Sequence, residues 1–250
     1  MRNFDRTFAE TNRIRTEGTD ALLEAAREAG VERFVAQSYA SVQYARVGGM
    51  VKSEDDPLEF DPIPTMRESV AAMRHLDEAV TGAGGVALRY GAFYGADNDG
   101  LVEPVRKRLY PIVGGGTGVT SFVHLEDAAR ATVLALESDL SGVYNIVDDE
   151  PAAAHEWLPA MARTLGAKPP RRVPRWLARL LAGEAVVMMA TESRGATNEK
   201  AKRELGWTLR YPSWRQGFAD TYGSASNGSG PQATKGSGTP ALRRVERRAA

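Results

Sequence analysis

Along this chain, apolar residues at helical spacing alternate with short continuous apolar runs, and that alternation predicts the architecture. "TEGTDALLEAAREAG" (16–30) places Leu22, Leu23, Ala25, Ala26 and Ala29 on one side, with Gly30 as a C-terminal stop. "VERFVAQS" (31–38) follows as a buried strand. "TMRESVAAMRHLDEAV" (65–80) opens on a capping box, Thr65 and Glu68, and sets Met66, Val70, Met73 and Val80 at helical spacing. "GGVALRYG" is the next strand, "VEPVRKRL" a helix, "GVTSFVHLEDAARATVLALE" a strand running into a helix, and "GVYNIVDD" a further strand. Strands alternating with helices at this spacing predict βαβ units around a parallel sheet covered on both faces.

Beyond Pro151 the pattern turns mostly helical, through "AAHEWLPAMARTLGA", "PRWLARLLAG", "NEKAKRELGW" and "SWRQGFADTY". From Gly223, "GSASNGSGPQATKGSGTP" offers almost nothing to bury and reads as a disordered tail. The fold class expected is therefore α/β: a parallel sheet with a smaller, mostly helical C-terminal lobe over 151–221 and a basic tail over 222–250.

Charge narrows the partners. Lys+Arg and Asp+Glu both number 32, so no global field argues for nucleic acid or a membrane, and a small molecule is the default partner. Lys235, Arg243, Arg244, Arg247 and Arg248 face one acid, Glu246, in the tail, so the body is mildly acidic. There is no cysteine, which excludes disulfides and thiolate zinc sites and fits a cytoplasmic protein. No apolar run approaches the roughly 20 residues that span a bilayer. The three histidines have no metal-ligand spacing.

The order of segments resembles the extended short-chain dehydrogenase/reductase family, the NAD(P)-dependent epimerase/dehydratase group, over about residues 10 to 220. "GTDALLEAAREAGVERFVAQSYASV", "VALRYGAFYG", "SFVHLEDAARATVLAL", "GVYNIVDDEP" and "NEKAKRELGW" look like its successive segments. The resemblance implies that residues 1–150 are the C-terminal part of a Rossmann-type nucleotide-binding domain with a hairpin insertion, a partial Rossmann sheet, and that 151–221 are its substrate lobe. With that fold it implies an NAD or NADP cofactor, a small-molecule substrate and compatibility with a homodimer. It also implies an upstream Gly-x-x-Gly-x-x-Gly turn, which lets the backbone approach a pyrophosphate at a helix N-terminus. No such pattern occurs among the 25 glycines. The chain is therefore expected to be truncated relative to that family and to bind dinucleotide weakly or not at all, with an exposed edge on the 31–38 strand. "VGGGTG" (113–118) precedes a strand and reads as a turn rather than a phosphate cradle.

The family's chemistry uses a Ser or Thr after the central strand and a Tyr-x-x-x-Lys on the next helix, where the cation stabilises the phenolate. None of the eight tyrosines has Lys four residues later. Met66 and Val70 stand at the Tyr and Lys positions, and "SYAS" puts Tyr39 at the catalytic hydroxyl position with Ser38 before it. Ser38 and Tyr39 are the catalytic candidates by resemblance, Ser38 otherwise a structural hydroxyl capping the strand end, and Tyr39 either a replacement acid/base or a space-filling aromatic. Tyr90, Gly91, Ala92 and Phe93 match the segment that lies along the nicotinamide. Tyr44 and Ser41 read as polar loop residues, His75 as part of a solvated helix face, His124 as packed at a strand end with Asp127 capping the next helix. Lys168, Arg171, Arg172 and Arg175 read as a basic surface or an anion site. Three functions stay open: an epimerase/dehydratase-like oxidoreductase, a non-catalytic nucleotide-binding or regulatory relative, and an inactive fragment.

Overall fold

The computed structural model describes residues 3–95 and 100–223. The N-terminal arm is nearly continuous helix: α1 (Phe4–Thr7), α2 (Ala9–Arg13), a π turn over Ile14–Gly18, and α3 (Thr19–Glu28). Then come β1 (Val35–Tyr39), β2 (Val51–Lys52), α4 (Arg67–Gly82), β3 (Val86–Tyr90), β4 (Ala92–Tyr94) and α5 (Val102–Arg106). Next are β5 (Ile112–Val113), β6 (Val119–Thr120), β7 (Phe122–His124), α6 (Leu125–Glu137) and β8 (Gly142–Ile146). The C-terminal part holds β9 (Ala152–Ala153), α7 (Ala154–Thr164), β10 (Arg172–Val173), α8 (Arg175–Ala182), α9 (Glu184–Glu192), β11 (Gly195–Ala196), α10 (Glu199–Glu204) and α11 (Trp214–Tyr222).

The central sheet is parallel, in the order β1-β3-β8. Side chains alternate along its strands, so each face meets a different helix. Ala36, Ala87 and Val143 pack against Leu76 and Val80 of α4. Val86, Leu88, Tyr144 and Ile146 pack against Ala128, Ala131 and Ala135 of α6. Among the described residues β1 pairs only with β3, so its other side is a free edge. A second core is aromatic: Phe122 of β7 meets Trp157, Trp214 and Phe218 at tilted or edge-on angles.

Four local expectations are corrected. The apolar side of α3 is not a core face: Leu22 is 61% exposed, and only Leu23 and Ala26 are half-buried. The strand predicted over 31–38 begins at Val35, and Val31 is exposed. The Thr65–Glu68 capping box does not form, and the Thr65 hydroxyl has no partner. Asp5 of α1 does that work instead, accepting from the backbone N–H groups of Glu68 and Ser69 at 3.1 and 2.9 Å and from the Ser69 hydroxyl at 2.7 Å. Finally, His124 caps α6, its Nδ1 accepting from Glu126 N–H at 3.1 Å. Asp127, fully buried, reaches away to accept from the backbone N–H groups of Arg210 and Tyr211. The 113–118 turn stands as read, joining β5 to β6 with Gly114 and Gly116 at positive φ. The basic tail read over 222–250 lies outside the described residues from 224 onward.

Candidate active site

In parallel sheets the strand C-termini open toward the loops that carry chemistry. Here the ends of β1 and β3 bring the sequence candidates side by side: Ser38 pairs in register with Arg89, and Tyr39 with Tyr90. Ser38 is buried and its hydroxyl has no partner. The Tyr39 ring packs against the cluster of Met66, Val70 and Met188. Burial raises the Tyr39 phenol above its ordinary pKa, with the Ser41 hydroxyl and the Arg15 charge pulling the other way. A phenol held neutral in this way is a poor base at neutral pH.

The helix facing Tyr39 contributes no proton-transfer group. Met66 and Val70 are both buried, and α9 lays Ala185 and Met188 over them. The space left among Val42, Met66, Val70 and Met188, whose lining also includes the ion-paired Arg46 and Glu59, is about 10 Å³, too small to admit a substrate.

Beneath the strand ends lies a polar network that the sequence reading missed. Arg89 Nε donates to Asp77 Oδ2 at 2.8 Å, and its Nη1 donates to the Tyr44 hydroxyl at 3.0 Å. That hydroxyl donates to Asn145 Oδ1 at 2.6 Å, while the Asn145 backbone N–H donates to Glu54 at 2.6 Å. Burial works against the charge of Arg89, but Tyr44 and Asp77 outweigh it and raise its pKa. Tyr44 is thus a buried structural residue rather than a polar loop residue. The signal was present in "VALRY": an arginine inside an otherwise apolar strand must find a buried partner.

Tyr90 and Phe93 pack on the α6 side of the sheet. Gly91 N–H donates to Ile146 O and Ala92 N–H to Ser121 O. A Cβ on Gly91 would lie 2.6 Å from Ser121 O, so glycine is needed for the close strand approach. The Tyr90 hydroxyl bonds Thr132 Oγ1 at 2.6 Å, and the Phe93 ring lies 5.2 Å from the Tyr90 ring. These two aromatics wall a groove of about 370 Å³ that also takes in Val35, Ala36 and Gln37 of β1. No charged side chain lines it. An uncharged aromatic ring fits such walls, so this groove suits the nicotinamide end of a dinucleotide.

The remaining candidates lie apart from this centre. His75 is exposed, with Nε2 2.7 Å from Asp20. His124 stacks on Tyr211 at 3.9 Å, and burial lowers its pKa. Arg171 and Arg172 are exposed on the lobe, and Arg175 pairs with Glu192 at 2.5 Å.

A family model described as the NAD dependent epimerase/dehydratase family matches residues 4–147. The chain belongs to that family. The 3-diazoavenalumate denitrifying reductase of a Streptomyces species is 46% identical over 219 residues, covering 84% of this chain and 72% of the relative. The UDP-glucose 4-epimerase of Corynebacterium glutamicum is 28% identical over 231 residues, 82% of this chain and 67% of the relative. Among solved structures, a human epimerase family protein with NADPH aligns with a TM-score of 0.73 at 19% identity, over 89% of this chain and 76% of that one. The dTDP-glucose 4,6-dehydratase of Streptomyces venezuelae, solved with NAD, aligns with a TM-score of 0.67 at 22% identity, over 91% and 71%. Family and relatives together make this an NAD(P)-dependent oxidoreductase-like protein of Rossmann type. Within the described residues no helix is long and apolar enough to cross a membrane.

Proposed function

We propose that this chain is an NAD(P)H-dependent reductase that removes a diazo group from a small aromatic carboxylate, replacing it with hydrogen. The observation that carries this reading is the pair Met66 and Val70, packed against Tyr39 where an epimerase/dehydratase would keep its proton-transfer pair. Reducing or oxidising a carbonyl moves a proton at oxygen and needs an acid or base. Replacing an aryl diazonium group does not: one hydride forms the new C–H bond, the C–N bond breaks, and dinitrogen leaves with its electron pair. The 46%-identical relative, named for denitrifying a diazo compound, supports the same chemistry.

Bound at the groove beside Tyr90 and Phe93, the reduced nicotinamide would supply the hydride. The chain's own residues do the rest. Met66, Val70 and Met188 exclude water from the strand end, which protects a reactive diazonium from hydrolysis. Tyr39, kept neutral by burial, takes no proton in this reading. In this reading residues 1–150 carry the cofactor side and 151–221 the substrate side.

The test uses NADPH deuterated at the transferable position and para-carboxybenzenediazonium. Loss of the diazo absorbance faster than in a protein-free control, with dinitrogen release and deuterium on the ring, is the expected result. Turnover no faster than that control overturns the reading. Intact NADPH binding without turnover would select the alternative, a non-catalytic binding relative, which the closed packing over Tyr39 also favours.

A further inference from the structure

Between α7, α8, α9 and the segment that follows α5 lies a second groove of about 560 Å³, distinct from the one beside Tyr90. Its walls include Val113, Trp157, Leu158, Val186 and Met189, with Thr120 as its hydroxyl-bearing residue besides Tyr110. No charged side chain lines it. The mouth is left apolar as well: Leu109, Tyr110 and Leu181 are 65%, 41% and 65% exposed. Exposed side chains of this size, gathered around a concavity of small-molecule dimensions, mark a ligand site rather than ordinary surface.

The lining decides the class of ligand. A nucleoside diphosphate would bring at least two negative charges into walls that offer no cation, a cost no hydrogen bond from Thr120 offsets. An apolar, flat molecule meets aromatic walls at Trp157 and Tyr110. The groove also abuts the reacting end of the sheet, because Met189 both lines it and packs into the cluster around Tyr39 and Met66.

Resting on the reductase reading above, we infer that this groove binds the apolar aryl body of the substrate and that it rejects nucleotide sugars. The probe is 1-anilinonaphthalene-8-sulfonate, an aryl anion whose fluorescence rises on apolar burial. Ala182→Trp fills the groove from α8. Leu181→Glu sets a negative charge at its mouth on an exposed position that folding does not depend on. Trp176→Ala changes the outer face of α8 outside the groove, where Trp176 is 68% exposed. Both groove variants are expected to weaken probe binding at least tenfold, with Trp176→Ala within twofold of the parent and millimolar UDP-glucose displacing nothing. Unchanged affinity in both groove variants overturns the inference, as does an equal loss in Trp176→Ala or displacement by UDP-glucose.

Turnover separates this inference from the reading it rests on. With the diazonium substrate, Ala182→Trp is expected to raise KM at least tenfold without changing NADPH affinity. Full turnover with KM unchanged overturns the groove and leaves the reductase standing. No turnover in the parent chain, with the probe pattern as expected, overturns the reductase and leaves the groove.

Discussion

Arg89 and Asp77 face one another at 2.8 Å with both side chains only 4% exposed, an ion pair sealed between β3 and α4. Removing one partner of such a pair strands the other charge in a medium that cannot solvate it. Arg89→Met is therefore expected to lower unfolding stability by about 3–5 kcal/mol. The double variant Arg89→Met with Asp77→Leu should recover part of that loss, as read by urea denaturation. A single variant within 1 kcal/mol of the parent would show that the pair is not sealed.

The hold of Asp5 on the first turn of α4 predicts a long-range capping effect. Asp5→Ala removes the acceptor of three hydrogen bonds and should cost about 1–2 kcal/mol, in the range of a lost N-cap. Thr65→Ala should cost little, because Thr65 caps nothing. Thermal melts of the two variants, compared with the parent, check this ordering.

Asp148 predicts a pH dependence of definite sign. It is 1% exposed, its Oδ2 has no partner, and burial pushes its carboxyl up to about 8. Unfolded, the same group titrates near 4. Below about pH 4 it is protonated in both states and exacts no penalty. Between about 4 and 8 the folded state binds more protons than the unfolded one, so stability falls as pH rises, by about 1 kcal/mol per unit. Above that window the loss is complete. Asp148→Asn should flatten the decline, so that the variant gains on the parent steadily from pH 5 to pH 8 in chemical denaturation.

Tyr39 tests the proposed chemistry. If the reaction needs no proton transfer, Tyr39→Phe should keep kcat within about threefold, well short of the hundredfold or more that loss of a general acid/base costs. The pH profile of kcat should also stay flat from 6 to 8, since burial keeps the phenol neutral across that range. A hundredfold loss would restore Tyr39 to an acid/base role.

Much of the fold was legible because hydrophobic periodicity reports burial within one element. The helix over Arg67–Gly82 and the strands at Val86–Tyr90 and Gly142–Ile146 fall where their patterns place them. What the pattern could not report was which partner lies across space. The Thr65–Glu68 box had the right residues, but a carboxylate sixty positions upstream reached the same N–H groups. Likewise Asp127 sat at capping distance from α6, yet the orphan N–H groups of Arg210 and Tyr211 claimed it. At the site, the absence of a proton-transfer pair was plain from Met66 and Val70. The packing of α9 over them was not, because Ala185 and Met188 approach from the far lobe.

The three strands of the central sheet begin at residues 35, 86 and 142, and the strand made second in the chain lies in the middle. No neighbouring pair can therefore zip from a hairpin; each must close a loop of about fifty residues before its first backbone bond forms. On a ribosome, the middle strand would emerge with one neighbour already made and would wait for the other until β8 had been synthesised. The helices can form early and locally, but the sheet they cover is assembled last.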